Sequence, residues 1–147
     1  MRTSGRPRRL AGRLAGRLAA QRGSTLIEST LVLLSFAVLL GGIMEVGFAG
    51  LVSNSVSFAA QRAARYASVR GSASGHAATA ANIQAIAQQY ASPLSSSGLT
   101  VTVTWTPNNN PGSTVQVQVS YAITPTILPL DGSAFTLTGT SSQLIAQ

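Results

Sequence analysis

Between Ser29 and Met44 the chain carries sixteen consecutive residues without a charge, and beyond Glu45 the apolar character continues to Val52. A run of that length constrains the fold more than any other feature, because crossing a bilayer core takes roughly 20 residues of helix at about 1.5 Å rise each. The helical pattern extends past it. Phe58-Ala59-Ala60-Gln61-Arg62-Ala63-Ala64-Arg65-Tyr66-Ala67 is rich in good helix formers, and neither Gly nor Pro follows until Gly71. The sequence therefore predicts one long helix over residues 24–70, apolar in its first half and wettable in its second, with a membrane span at about 26–52.

Glu28 sits at the front of this helix, where a carboxylate in lipid costs a few kcal/mol unless it is paired or close to the interface. Two explanations fit the residues. In the first, Glu28 lies in the opening turns, near headgroup water and favoured by the helix dipole by about 0.3 to 1 kcal/mol. In the second, a cut between Gly23 and Ser24 makes Glu28 the fifth residue of a mature chain, and the new amine of a neighbouring Ser24 neutralises it in a packed bundle.

The charge is segregated. All ten basic residues are Arg, and seven of them (Arg2, Arg6, Arg8, Arg9, Arg13, Arg17 and Arg22) precede the apolar run, so the net charge of +7 belongs to residues 1–22. Arg62, Arg65 and Arg70 balance Glu28, Glu45 and Asp131. The short repeat Arg9-Leu10-Ala11-Gly12, Arg13-Leu14-Ala15-Gly16, Arg17-Leu18-Ala19-Ala20 suits an anionic membrane surface. Seven Arg before the span, led by Arg8, Arg9, Arg13, Arg17 and Arg22, hold that end in the cytoplasm by the positive-inside rule and send the C-terminal part outward. A secretory signal would put its cut after an apolar core, whereas here Gly23 precedes it. A mitochondrial transit peptide would be Arg-rich but leaves Gly23 to Glu28 unexplained, and Arg8-Arg9 lacks the context of a twin-arginine signal.

The string Gly23-Ser24-Thr25-Leu26-Ile27-Glu28 resembles the processing site of type IV prepilins, a basic leader ending in Gly before an apolar helix with Glu at its fifth position. With Glu45-Val46-Gly47 and Ala60-Gln61-Arg62-Ala63-Ala64-Arg65-Tyr66-Ala67, residues 22–67 resemble the TadE-like family of pilin-like (pseudopilin) proteins in tight-adherence, or Flp, pilus systems. The resemblance implies a leader over residues 1–23, cleavage after Gly23 by a prepilin peptidase, a structural role beside other pilin-like subunits and the pilus assembly machinery, and a place in the bacterial cytoplasmic membrane or the pilus itself. Two residues depart from the pattern. Ser29 stands where Flp major pilins carry Tyr, which argues against the major filament subunit, and Ser24 replaces the Phe that begins mature type IV pilins.

Along the helix, Ala37 and Gly41, then Ala49, Ser53 and Ser57, place small residues four apart, a spacing that lets helices approach closely but is also common in any membrane helix. Glu45, seventeen residues after Glu28, lies too far along a helix to share a reaction with it, and marks the outer interface or pairs with an Arg of a partner subunit. Arg62 and Arg65 read as a solvated face, with a salt link to a neighbouring subunit as the alternative.

After Gly71-Ser72-Ala73-Ser74-Gly75, read as a flexible break, a second helix is expected from about His76 to Tyr90, with Ile83, Ile86, Ala87 and Tyr90 at helical spacing. The period then changes to two. Leu99, Val101, Val103 and Trp105 alternate with Thr, and after Asn108-Asn109-Asn110-Pro111-Gly112 the alternation resumes with Val115, Val117, Val119 and Tyr121, the pattern of a hairpin. Phe135 to Thr138 is a candidate third strand after a loop over Pro125 to Gly132, and the helix holding Ile83 and Ile86 is the expected cover for the apolar face. The expected class is α+β: a long pilin-like helix, then a small exported part over residues 71–147 with a short helix and an antiparallel sheet.

Catalysis finds little to work with. His76 and Asp131 are the only His and Asp, nothing in the sequence brings them to a Ser, and the central position of a G-x-S-x-G pattern is Ala73. Without Cys, and with one His, the chain offers poor metal ligands, and no cofactor motif is present. Trp105 and Tyr121 could stack on a sugar or base, but their strand positions assign them to the core. With its positive charge confined to the leader, the chain lacks a basic groove for nucleic acid. The expectation is a non-enzymatic assembly protein. The alternative is an uncleaved single-pass protein with an extracytoplasmic ligand- or partner-binding domain.

Overall fold

The computed structural model describes residues 7–92, 94–125 and 134–146, with residues 7–23 given by their backbone. Helix α1 (Pro7–Ser68) is followed by α2 (Ala80–Tyr90) and by strands β1 (Leu99–Thr106), β2 (Thr114–Ile123) and β3 (Phe135–Leu144), an α+β fold as the sequence indicates. Helix α1 begins well before Ser24. Pro7 stands at its first position, where the missing N–H costs nothing, and no later Pro interrupts it. The chain divides into two compact units, Met1–Gly42 and Ile43–Gln147, and α1 contributes to both.

In the first unit α1 is apolar all round. Leu26, Ile27, Leu31, Val32, Leu33 and Leu34 point in successive directions around the helix and all are exposed. A helix with apolar residues on every face is stable only when something covers it, either lipid or other helices. Its hydroxyls do not oppose such cover: Ser29, Thr30 and Ser35 donate to the carbonyls of Thr25, Leu26 and Leu31 at 2.8, 2.8 and 2.9 Å. Each of these three hydroxyls is thereby satisfied within the helix.

In the second unit the strands form an antiparallel meander in the order β1-β2-β3. Leu99 pairs with Tyr121 and Thr106 with Thr114, while Thr114 pairs with Leu144 and Ile123 with Phe135. Odd-numbered residues therefore share one face across all three strands, and Val115, Val117 and Val119 at its centre are fully buried. The even-numbered face, with Thr100, Thr102 and Thr104 beside Gln116 and Gln118, is exposed.

The cover of this sheet differs from expectation. Helix α2 adds buried Ile83 and Ala87, but the larger contribution comes from α1 through Val52, Val56, Ala59, Ala60, Ala63, Ala64 and Ala67, each at most 1% exposed. Their spacing of three and four residues makes a single stripe, and its Ala side chains bring the helix backbone close to the strands. One such close approach is at Gly139 of β3. A Cβ built there would lie 2.6 Å from the Cα and from the N of Ser57, so only Gly fits.

The segment after α1 is a fixed joint rather than a flexible break. A helix end leaves carbonyls and following amides in need of partners. Here the N–H of Ser72, in a 3-10 turn at Ser72–Ser74, donates to the carbonyl of Asn109 at 2.8 Å, and its hydroxyl donates to Asn110 Oδ1 at 2.6 Å. The N–H of Ala146 reaches the Ser68 carbonyl at 2.8 Å, and that of Ala78 the Arg70 carbonyl at 2.8 Å. Helix α2 starts at Ala80, four residues later than expected, because Thr79 is extended and its hydroxyl caps the N–H of Asn82 at 3.2 Å. Strand β3 exceeds the expected Phe135 to Thr138 because pairing with β2 continues to Leu144 through Gly139 and a polar run. From residue 126 on, the loop expected up to Gly132 lies outside the described residues, as does Asp131.

Candidate functional site

Residues carrying the expected processing and assembly chemistry all fall on α1. Arg8, Arg9, Arg13, Arg17, Arg22 and Gly23 belong to its first turns by backbone conformation, and Ser24 and Glu28 follow with exposed side chains. Glu28 borders a shallow groove along the helix that it lines together with Thr25, Ser29, Val32, Leu33 and Phe36. Its carboxylate is thus set among apolar side chains on a surface that itself calls for cover. Covering a carboxylate without a partner costs several kcal/mol, so an association that buries this groove requires a cation opposite Glu28 or its protonation. The other side of the same turns, with Leu26, Ile27, Leu31 and Leu34, is an apolar groove containing only one hydroxyl residue, Thr30.

Glu45 lies in the second unit and is half-buried, unlike Glu28. Of the small residues Ala49, Ser53 and Ser57, Ala49 packs against the core, Ser57 faces Gly139 of the sheet and Ser53 is exposed. The close approach that small residues permit is used here at Ser57 for a strand rather than a second helix.

Arg62 is exposed, yet it is not a freely solvated side chain. Its guanidinium carbon stands 5.0 Å from the Phe58 ring centre and 5.6 Å from that of Tyr90, and the two rings meet edge to face at 5.8 Å and 80°. Arg70 similarly lies 4.4 Å over Tyr66 and donates to its hydroxyl at 2.6 Å. The sequence does not reveal the first cluster: Tyr90 stands at helical spacing with Ile83, Ile86 and Ala87, yet it is 39% exposed at the end of α2. The available signal was the four-residue step from Phe58 to Arg62, which places a cation over a ring one turn earlier.

His76 is exposed, and with Arg70, Ser74 and Asn82 it borders an open depression beside the end of α1. Trp105 and Tyr121 pack against the core as their strand positions indicate, and the Trp105 indole nitrogen is buried, so that ring is not a solvent-facing stacking platform. Among the described residues, no three His, Cys, Asp or Glu side chains group as metal ligands.

One helical segment among the described residues, Ser24–Ser68, is long and apolar enough to cross a membrane, and its most apolar window is almost entirely unburied. Residues 23–65 match the family model described as TadE-like protein. No curated protein and no solved structure matches the chain. The family match thus takes in the apolar run and most of the sheet-covered part of α1, and leaves α2 and the strands outside it.

Proposed function

We propose that this chain is a TadE-like pseudopilin, a structural component in the assembly of a tight-adherence, Flp-type pilus. The observation that carries the reading is the coincidence of the TadE-like match over residues 23–65 with a helix whose large apolar side chains, from Leu26 to Leu51, are exposed. Such a surface suits lipid before assembly and neighbouring helices after it, because both environments exclude water from the same side chains.

In this reading the Arg-rich residues 1–23 are a leader held in the cytoplasm, α1 crosses the cytoplasmic membrane once, and the sheet lies outside. A prepilin peptidase cuts the peptide bond after Gly23, which leaves a charged amine on Ser24. That amine, on a neighbouring subunit, would supply a cation opposite Glu28 when the groove is covered. Glu45 offers a second charged contact to a partner subunit. The role is structural and needs no cofactor.

The test replaces Glu28 in the native host and counts surface pili. Glu28→Ala is expected to reduce assembled pili strongly while the protein is still made and membrane-extracted, and Glu28→Asp to retain part of the assembly. Normal piliation by Glu28→Ala would remove Glu28 from the mechanism. One observation favours a second reading, an uncleaved membrane-anchored binding protein: the depression bordered by Arg70, Ser74, His76 and Asn82 lies outside the TadE-like match and gathers cationic and polar groups. Unimpaired pili in a strain lacking the whole gene would favour it.

A further inference from the structure

We infer that Phe58, Arg62 and Tyr90 form a contact surface for the phosphate headgroups of an anionic leaflet, seating the sheet-bearing unit on the membrane that α1 crosses. The inference rests on the membrane-anchored reading above. Within the second unit α1 has two sides. The stripe from Val52 to Ala67 is sealed under the sheet, while Leu51, Phe58, Arg62 and Arg65 follow one another at helical spacing on a side that stays exposed. This exposed side is continuous with Met44 and Phe48, exposed apolar residues of the candidate span. It passes from aliphatic to aromatic to cationic, the order met on leaving a bilayer through its interface.

Full burial of α1 begins at Val52, after Ala49 has already met the core, and Phe58 lies about 9 Å beyond Val52 along the axis. A headgroup layer extends about 5 to 8 Å beyond the hydrocarbon, so contact with it requires side chains that reach back toward the span. Side chains on a helix lean toward its N-terminus, and Arg62 does so to the extent that its guanidinium lies 5.0 Å from the Phe58 ring centre. The cation is therefore carried back about one turn toward the apolar stretch, as a snorkelling Arg carries its charge to an interface. Tyr90, reaching in from α2, completes the patch and ties it to the folded unit, with its ring 5.8 Å from that of Phe58.

The charge selects the partner. Between Glu45 and Asp131 the sequence has no acidic residue, and its cations there, Arg62, Arg65 and Arg70, all come within nine positions. A cluster of cations beside exposed aromatics suits lipid phosphate, and each Arg near an anionic surface raises occupancy there by about fivefold.

The chain has no Cys, so single-cysteine nitroxide labels report depth cleanly. Full-length protein would be placed in phosphatidylcholine vesicles with and without phosphatidylglycerol, with labels at Gln61→Cys beside the patch, Phe36→Cys in the apolar run and Gln118→Cys on the exposed sheet face. Accessibility to oxygen and to a water-soluble nickel chelate would be compared. The expected result is a Gln61 label at headgroup depth in phosphatidylglycerol, with nickel accessibility rising by about twofold or more in Arg62→Ala and restored in Arg62→Lys. A Gln61 label as nickel-accessible as Gln118 in every vesicle, with Phe36 still shielded, overturns the headgroup contact and leaves the anchored reading standing. A Phe36 label as exposed as Gln118 defeats the anchored reading itself. Shielding of Gln61 from both reagents, whatever the lipid, would mean that protein covers the patch and would equally overturn the inference.

Discussion

Gly139 on β3 lies directly against the backbone of Ser57 on α1: a Cβ on Gly139 would meet Ser57 Cα and N at 2.6 Å and the Val56 carbonyl carbon at 2.7 Å. The obstructing atoms are helix backbone, which cannot rotate away as a side chain can. Gly139→Ala is therefore expected to destabilise the second unit by about 1 to 3 kcal/mol through overpacking. Chemical unfolding of the detergent-solubilised chain, followed by fluorescence of the single Trp105, checks this directly. Gly50 is the control. A Cβ there meets nothing within 4 Å, so Gly50→Ala should leave stability unchanged or raise it by about 0.5 to 1 kcal/mol.

Ile83 is, with Ile145, among the largest fully buried side chains of the described residues, and it is the main apolar contribution of α2 to the sheet cover. Ile83→Ala should cost about 2 to 5 kcal/mol, the usual range for emptying such a site. If α1 alone covered the sheet, the loss would fall below this range, and the same unfolding experiment distinguishes the two.

Thr79 fixes where α2 begins, through the hydrogen bond from the N–H of Asn82 to its hydroxyl. Thr79→Ala should lower stability by about 1 kcal/mol, and Thr79→Ser should recover most of it. Equal losses in both variants would show that the hydroxyl is not the cap.

Much of this architecture is legible in the sequence, and the misses have physical causes. The hairpin is plain because Val101 and Val103, then Val117 and Val119, alternate with Thr and Gln, a pattern that only a two-faced strand produces. The stripe that covers it was hidden because Ala59, Ala60, Ala63, Ala64 and Ala67 are the best helix formers, so their abundance reads as helix propensity rather than as a core. Strand β3 extends beyond Thr138 without a sequence signal, because Gly139 and the Thr, Ser and Gln residues after it lack the apolar alternation; pairing with β2 holds that segment in the sheet. The anomaly of Glu28 was visible at once, since a lone carboxylate in an apolar run stands out in any sequence. The Phe58, Arg62 and Tyr90 cluster was not, because it requires α2 to return beside α1.

The same groove that surrounds Glu28 makes a further prediction about helix contacts. Val32 and Phe36 line it, whereas Thr30 and Leu34 belong to the opposite groove. In the native host, photo-crosslinking residues placed at Val32 or Phe36 should capture pilin-like subunits more often than those at Thr30 or Leu34, and Glu28→Ala should reduce that capture. Equal capture from both sides would show that Glu28 does not orient the association.

The central claim is that the chain is a pilin-like subunit matured at the Gly23–Ser24 bond, and the mass of the membrane-extracted protein from its native host tests it most directly. The account predicts a chain beginning at Ser24, and full-length protein in Gly23→Ala. An intact leader on the wild-type chain, in cells whose prepilin peptidase is active on its other substrates, would contradict the account and leave an anchored binding protein in its place.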